Sequence, residues 1–403
     1  MDSWLPLKQW FLVTLAALLL ADCAHAANLA FESARDVFAA NSGPWAVDAD
    51  SATIVQTTSG AILAAWQGGN RKRLPGVDVW LSRLADGQWS APERIADGEA
   101  TGKDFTVANP VLFQPEGGPL LLFYSVGPHQ RGGVDKIGRN MWGVLQTSTD
   151  DGRPWSAPRP LGKDARLPGG KLNGPTKNPP IQLADGSILV PSSNESGLLD
   201  SSDLDRLAWH FEKSRDLGRT WSVAYICPPA PALRPIQPGF LRLRESTLRA
   251  VGGHQAGNET ASATSQNNGD EWSAVSGLPS LPVVGAPFPV TLSDGTHLCV
   301  FNPRGSGSSR LRVMTSRDGE RWQEQVNLDP ATGSRAHYPQ GVQSADGRLH
   351  VVFTQDAGPA LNPVIRHVVL KTELPAAPVA LQATAVSPYQ INLQWAVAKP
   401  SPV

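Results

Sequence analysis

The chain has 403 residues, 41% of them hydrophobic, and a net charge of −1. That length accommodates one large domain or two to three ordinary ones, and the apolar content is enough for a real core. The balanced charge gives no electrostatic footprint for nucleic acid, and the 38 Gly and 35 Pro favour many short strands and turns over long helices.

The first segment reads as an export signal. Lys8 precedes the apolar run FLVTLAALLLA (Phe11–Ala21), and Ala24-His25-Ala26 supplies small residues for cleavage. Residues 1–26 are therefore expected to be a signal peptide, with an exported protein, periplasmic or extracellular, beginning at Ala27. A lipoprotein signal with Cys23 as the lipidated residue is the alternative, and Asp22 fits it poorly. The apolar run is about half of the roughly 20 residues a membrane span needs, so no integral membrane contact is expected. Removing the signal leaves Cys227 and Cys299. In a chain this long they are expected to be buried free thiols rather than a disulfide.

LAFESARDVF (Leu29–Phe38) then has strand character. After it a repeat begins. SRLADGQW ends at Trp89, STDDGRPW at Trp155, SRDLGRTW at Trp221, SQNNGDEW at Trp272 and SRDGERW at Trp322. The steps are 66, 66, 51 and 50 residues, a repeat with variable insertions. Each unit has the same order: a polar residue or Pro, a short strand, a turn often spelled DG, a second strand, a polar loop, a third strand, and the turn ending in Trp. The third unit runs from Lys177-Asn178-Pro179-Pro180 through IQL, the Asp185-Gly186 turn and ILVPSS to the strand LAWHFEKS. Four strands per unit at this spacing predict propeller blades. In the turn, Ser and Asp bond nearby backbone N–H groups and Gly takes a positive φ. The Trp is expected to be a wedge between neighbouring sheets.

Units opening near Asp50, Asn109, Lys177, Gln237, Ala286 and His337 make six. The sixth lacks a fourth strand. A ring cannot tolerate an open edge, so the segment Leu29–Phe38 is expected to supply the missing outer strand. The expectation is an all-β, six-bladed β-propeller over residues 27–371, closed by an N-terminal strand. Residues 372–403 begin as a Pro/Ala linker and then alternate apolar and polar positions through Leu381, Ile391, Leu393 and Trp395. They resemble the first two strands of a fibronectin type III domain, too few for a sandwich.

SRDLGRTW and STDDGRPW match the Asp box of sialidases, S-x-D-x-G-x-x-W. The phrases GPTKNPPIQLADGSILVPSS, HYPQGVQSADGRLHVVFT and IRHVVL resemble BNR-repeat sialidase-like proteins, over roughly Leu29 to Lys371. The resemblance implies exo action on a terminal acidic sugar, sialic acid, on glycoconjugates, with no metal or organic cofactor and a monomer whose partner is a glycan.

A sialidase grips a carboxylate with guanidinium groups. It attacks the anomeric carbon with a Tyr, whose base is a Glu, and uses an Asp as general acid. Carried onto this chain, Tyr338 is the nucleophile and Glu195 its base. Arg304 or Arg310 of the fifth unit, and Arg71 or Arg73 of the first, are carboxylate ligands. Lys177, Asn178, Gln237 and His337 line the same face as further substrate-binding residues. His254 of the fourth unit shares it. The chain departs from the pattern in two places. No RIP phrase supplies the first Arg, and the loop GGNRKRLPG holds no Asp, leaving Asp50 as the general-acid candidate with Asp78 the next nearest. Two other readings stay open: a carbohydrate-binding or adhesion propeller without catalysis, and a uronate-polysaccharide enzyme in which His337 or Tyr338 abstracts a proton. No metal-ligand spacing, phosphate loop or G-x-S-x-G elbow is present.

Overall fold

The computed structural model describes residues 28–71, 74–100, 102, 104–128, 141–194, 208–254, 260–304, 310–328, 334–356, 358, 362–373, 378–387 and 390–397. Phe31–Lys371 form one compact unit. It holds six antiparallel sheets, the blades of a six-bladed propeller. The inner strands are Asp50–Gln56, Phe105–Phe113, Ile181–Gln182, Pro235–Arg242, Val283–Thr291 and Ala336–Gln343 in blades 1 to 6. The second strands, such as Ile62–Gly68 and Ile188–Asn194, are buried at every position, because each is covered on both faces by neighbouring blades. The apolar clusters accordingly lie between blades. Leu63 and Leu81 of blade 1 pack with Leu120 and Leu122 of blade 2, and Leu189 and Phe211 of blade 3 pack with Phe240 and Ala250 of blade 4.

The ring closes in blade 6. Asn28–Asp36 lies outside Val364–Glu373 as the fourth strand. Arg348 forks onto the Glu32 carboxylate at 2.8 and 3.1 Å, and Arg366 reaches Asp36 at 2.9 Å. Both chain ends of the propeller thus meet in one blade, as expected from the missing strand. The second unit includes a two-stranded sheet, Pro378–Ser387 against Gln390–Val397. Residues 1–27, with the expected signal, lie outside the described residues.

The Trp turns are built as their spelling requires. Ser214, Ser265 and Ser316 each accept the N–H of the turn glycine at 2.9 Å, and Trp221, Trp272 and Trp322 donate from the indole back to that glycine's carbonyl at 3.0 to 3.2 Å. Asn267 stands where the others have Asp and still accepts the Glu271 N–H at 2.9 Å. Trp221 meets Phe123 and Trp272 meets Phe211, each on the preceding blade, with ring centroids 5.4 and 4.4 Å apart. The wedge expectation holds there. The first copy differs: Asp86 and Gly87, with φ of 48° and 70°, make a two-residue hairpin, and Trp89 lies in the strand after it. A tight DG turn needs only two left-handed residues, so this copy spells a hairpin rather than a box.

Two features of the ring join one blade to the next. A cation on one blade bonds the turn carbonyls of the following blade: Arg83 to Asp151 and Gly152, Arg159 to Gly218, Lys213 to Asn268, and Arg249 to Gly319. On the inner strands, Gln56, Gln182 and Gln343 accept an N–H from the preceding blade's hairpin, at 2.6 to 2.8 Å. Cys227 and Cys299 are free and buried.

Candidate active site

Five inner strands carry a bulge at the same place, the mouth where the strand begins. The pairing shifts between Asp50 and Thr53, Ala108 and Val111, Ile236 and Gly239, Val284 and Phe288, and His337 and Gln340. Each bulge contains one left-handed residue: Ser51, Asn109, Gln237, Gly285 and Tyr338, with φ between 47° and 78°. Three of these precede a Pro, a position where the right-handed helical region is disfavoured. Blade 3 places Lys177-Asn178-Pro179-Pro180 at the same point. A bulge turns side chains out of the strand alternation. Tyr338 is the bulkiest of the five. A left-handed conformation there costs about 1–3 kcal/mol and persists only where the surroundings over-determine it.

Ring closure brings blade 6 against blade 1 and assembles a cluster there. His337 Nε2 lies 3.4 Å from Asp50 Oδ1. Thr354 Oγ1 donates to the same oxygen at 3.0 Å, and so does the Ser51 N–H at 2.8 Å. The His337 ring sits 5.1 Å from the Tyr338 ring at 69°. Asp50 is buried, with its side chain 9% exposed, while His337 is 21% exposed. The buried carboxylate orients the imidazole, and the partly open imidazole faces the phenol. The other His337 nitrogen, Nδ1, has no partner among the described residues. A histidine held against a buried carboxylate is an arrangement that general acid–base chemistry uses.

Blade 5 flanks this cluster. Asn302 donates to the carbonyls of Arg310 and Ala336 at 2.6 and 2.8 Å, fixing the backbone of Arg310 close to the strand that carries Tyr338. Arg304 and Arg310 are both exposed. Arg71 is exposed in the blade 1 loop, where the Asn70 side chain accepts its N–H. Arg73 and Glu195 lie outside the described residues.

Lys177, Asn178 and Asp78 are engaged within the fold. Lys177 is buried, and its amine donates to the Pro339 carbonyl of blade 6. Asn178 is 1% exposed, its amide donating to the carbonyls of Gln237 and Pro238 at 3.3 and 3.1 Å. Both side chains link blades, Lys177 to blade 6 and Asn178 to blade 4. Gln237 is buried at its left-handed position, and its N–H donates to Ser193 at 3.2 Å. Asp78 accepts from Arg94 and from the Gly98 N–H, both at 3.3 Å, which ties it to the outer edge of blade 1. Burial pushes its carboxyl above the usual range.

Sequence reasoning missed three participants. Thr354 and Gln340 come from ordinary strand positions, with no local spelling to mark them. Glu212 is fully buried and gathers the N–H groups of Asn173 and Gly174 with the His210 ring at 3.1 Å, anchoring the backbone that leads into Lys177. His254, at the mouth of blade 4, has neither ring nitrogen partnered among the described residues. Among those residues no cluster of His, Cys, Asp or Glu fits a metal ion.

The fold is shared with known structures at low identity. A protein of unknown function from Dyadobacter fermentans superposes with a TM-score of 0.70 at 16% identity, over 86% of this chain and all of the other. The NanB sialidase of Streptococcus pneumoniae gives 0.63 at 12%, over 85% of this chain and 70% of the other. An α-L-arabinanase of Penicillium chrysogenum gives 0.56 at 17%, over 84% and 98%. No curated protein matches by sequence. The BNR repeat-like domain family matches residues 60–351, and with the turn geometry above this makes the chain a member of that family.

Proposed function

We propose that the protein is an exported glycoside hydrolase of sialidase type that removes a terminal acidic sugar from glycoconjugates. The observation that carries this reading is Tyr338, held left-handed at the mouth of blade 6 beside His337 and the buried Asp50. The Tyr338 hydroxyl oxygen forms a bond to the anomeric carbon as the bond to the leaving oxygen breaks, and that oxygen takes up a proton from the general acid, Asp50 by the family resemblance. Water then displaces the tyrosine, and retention follows. The phenol proton goes to a base: Glu195 by the family resemblance, and His337 among the described residues. Arg304 and Arg310 on the adjoining blade grip the sugar carboxylate, with Arg71 and Arg73 as further ligands by the family resemblance. A phenol suits this step because a neutral nucleophile is not repelled by that carboxylate.

The Asp50–His337 pair favours a second reading, a lyase acting on uronic-acid polysaccharide. There the imidazole removes the proton α to the carboxylate, the electron pair forms a carbon–carbon double bond, and the glycosidic oxygen leaves. The two readings separate in one experiment. Sialyl glycosides and uronate polysaccharides are incubated in parallel, and the products are read for free sialic acid and for ultraviolet absorbance. Free sialic acid without new absorbance supports the hydrolase; an absorbing product from uronate transfers the assignment to the lyase.

A further inference from the structure

A buried amine spans the axis of the ring and has no place in the chemistry above. Lys177 belongs to the mouth of blade 3, and its Nζ donates to the carbonyl of Pro339 on blade 6, the opposite blade. The contact is answered in the other direction. Gln340 Nε2 donates to the Lys177 carbonyl at 3.3 Å, while its Oε1 accepts the Ile54 N–H of blade 1 at 2.7 Å. Asn178, next in the chain, bonds two carbonyls of blade 4 and lies 3.5 Å from the amine. One dipeptide of blade 3 is thereby linked to blades 4 and 6, and through Gln340 to blade 1.

Among the described residues the amine has no carboxylate partner. The titratable group that bears on it is the buried Cys299 thiol of blade 5, and burial pulls the amine down to about 7. An apolar side chain would fill this space with a smaller desolvation penalty. What Lys provides and an apolar residue does not is the hydrogen bond to Pro339. That carbonyl belongs to the residue directly after Tyr338, inside the bulge that gives Tyr338 its left-handed φ of 54°.

We propose that Lys177 is a positioning residue for Tyr338, fixing the blade 6 bulge from across the ring through the Pro339 carbonyl. The proposal rests on the reading of Tyr338 as the reacting group, but its test does not depend on activity. The full chain contains four tyrosines, so ring-labelled tyrosine gives few NMR signals, and Tyr338→Phe assigns the one of interest. In Lys177→Met the Tyr338 signal should shift or broaden while those of the other tyrosines stay in place. With a substrate that is turned over, the same variant should lose about 10- to 100-fold in kcat with KM changed less than about twofold, the mark of a misplaced reacting group rather than a lost binding contact. If Lys177→Met does not fold, Lys177→Gln, too short to reach Pro339, is read in the same way. A Tyr338 signal unchanged in a folded variant overturns the proposal, whatever the enzyme acts on. A shifted signal in a protein inert toward every acidic sugar sustains the positioning and removes the hydrolase reading instead.

Discussion

At the scale of single residues, the buried bases of this ring carry stability that depends on pH. His350 and His367 stack 5.2 Å apart in blade 6, with Nδ1 of the first 3.0 Å from Nε2 of the second. Burial, and then the neighbouring His350 and Arg35, pull His367 down to about 3. The unfolded chain protonates its histidines near 6.5. It therefore binds more protons than the folded chain between these values, and stability falls as pH drops from about 6.5 toward 3. In His367→Phe the melting temperature should fall less over that window than in the parent; an identical slope would refute the assignment. Lys177 acts at the other end. Its folded value near 7 lies below the ordinary 10.5. The unfolded state again holds more protons in between, so stability rises from pH 7 to about 10.5. Denaturant melts of Lys177→Met should lack that rise, and a variant that kept it would place the titration elsewhere.

At the scale of the strand and turn, the Trp box was legible because it is local. Ser, Asp or Asn, Gly and Trp satisfy one another within eight residues or fewer, so their spelling is their geometry. The first copy shows the limit: its Asp86-Gly87 fits a tight hairpin as well as a box, and the strand pairing after it decided the matter. Trp272 packs against Phe211 and Phe240 and is 6% exposed. Trp272→Ala should cost about 3–5 kcal/mol in urea unfolding, the range for a buried aromatic. A loss below about 1 kcal/mol would mean that the indole is not a wedge between blades. The cation links from Arg83, Arg159, Lys213 and Arg249 were not legible. Each joins a side chain to a carbonyl on another blade, and nothing near it in sequence announces the partner.

At the scale of the whole molecule, ring closure makes both the fold and the site. The outer strand of blade 6 comes from the chain's beginning, and the sequence revealed this through a missing fourth strand. Deleting residues through Asp36 removes that strand and leaves the 364–373 edge unpaired, a template for aggregation. Light scattering of the deleted protein should show association at concentrations where the full chain shows none; a monodisperse, equally stable product would contradict the closure. The same geometry explains what could be read of the site. Tyr338, His337 and Asp50 were placed at the mouth by register in the repeat. Their meeting was hidden, because Asp50 and His337 become neighbours only when blade 6 docks on blade 1. The contact of Lys177 was hidden too, because the carbonyl that accepts its hydrogen bond lies on the opposite blade. The most direct test of the central claim, that Tyr338 is the group on which this ring attacks an acidic sugar, is turnover of a fluorogenic sialic-acid glycoside by the full chain beside Tyr338→Phe. The account predicts measurable release by the parent and a loss of at least about 100-fold in a variant that melts at the same temperature; release undiminished in Tyr338→Phe, or absent from both proteins, would contradict it.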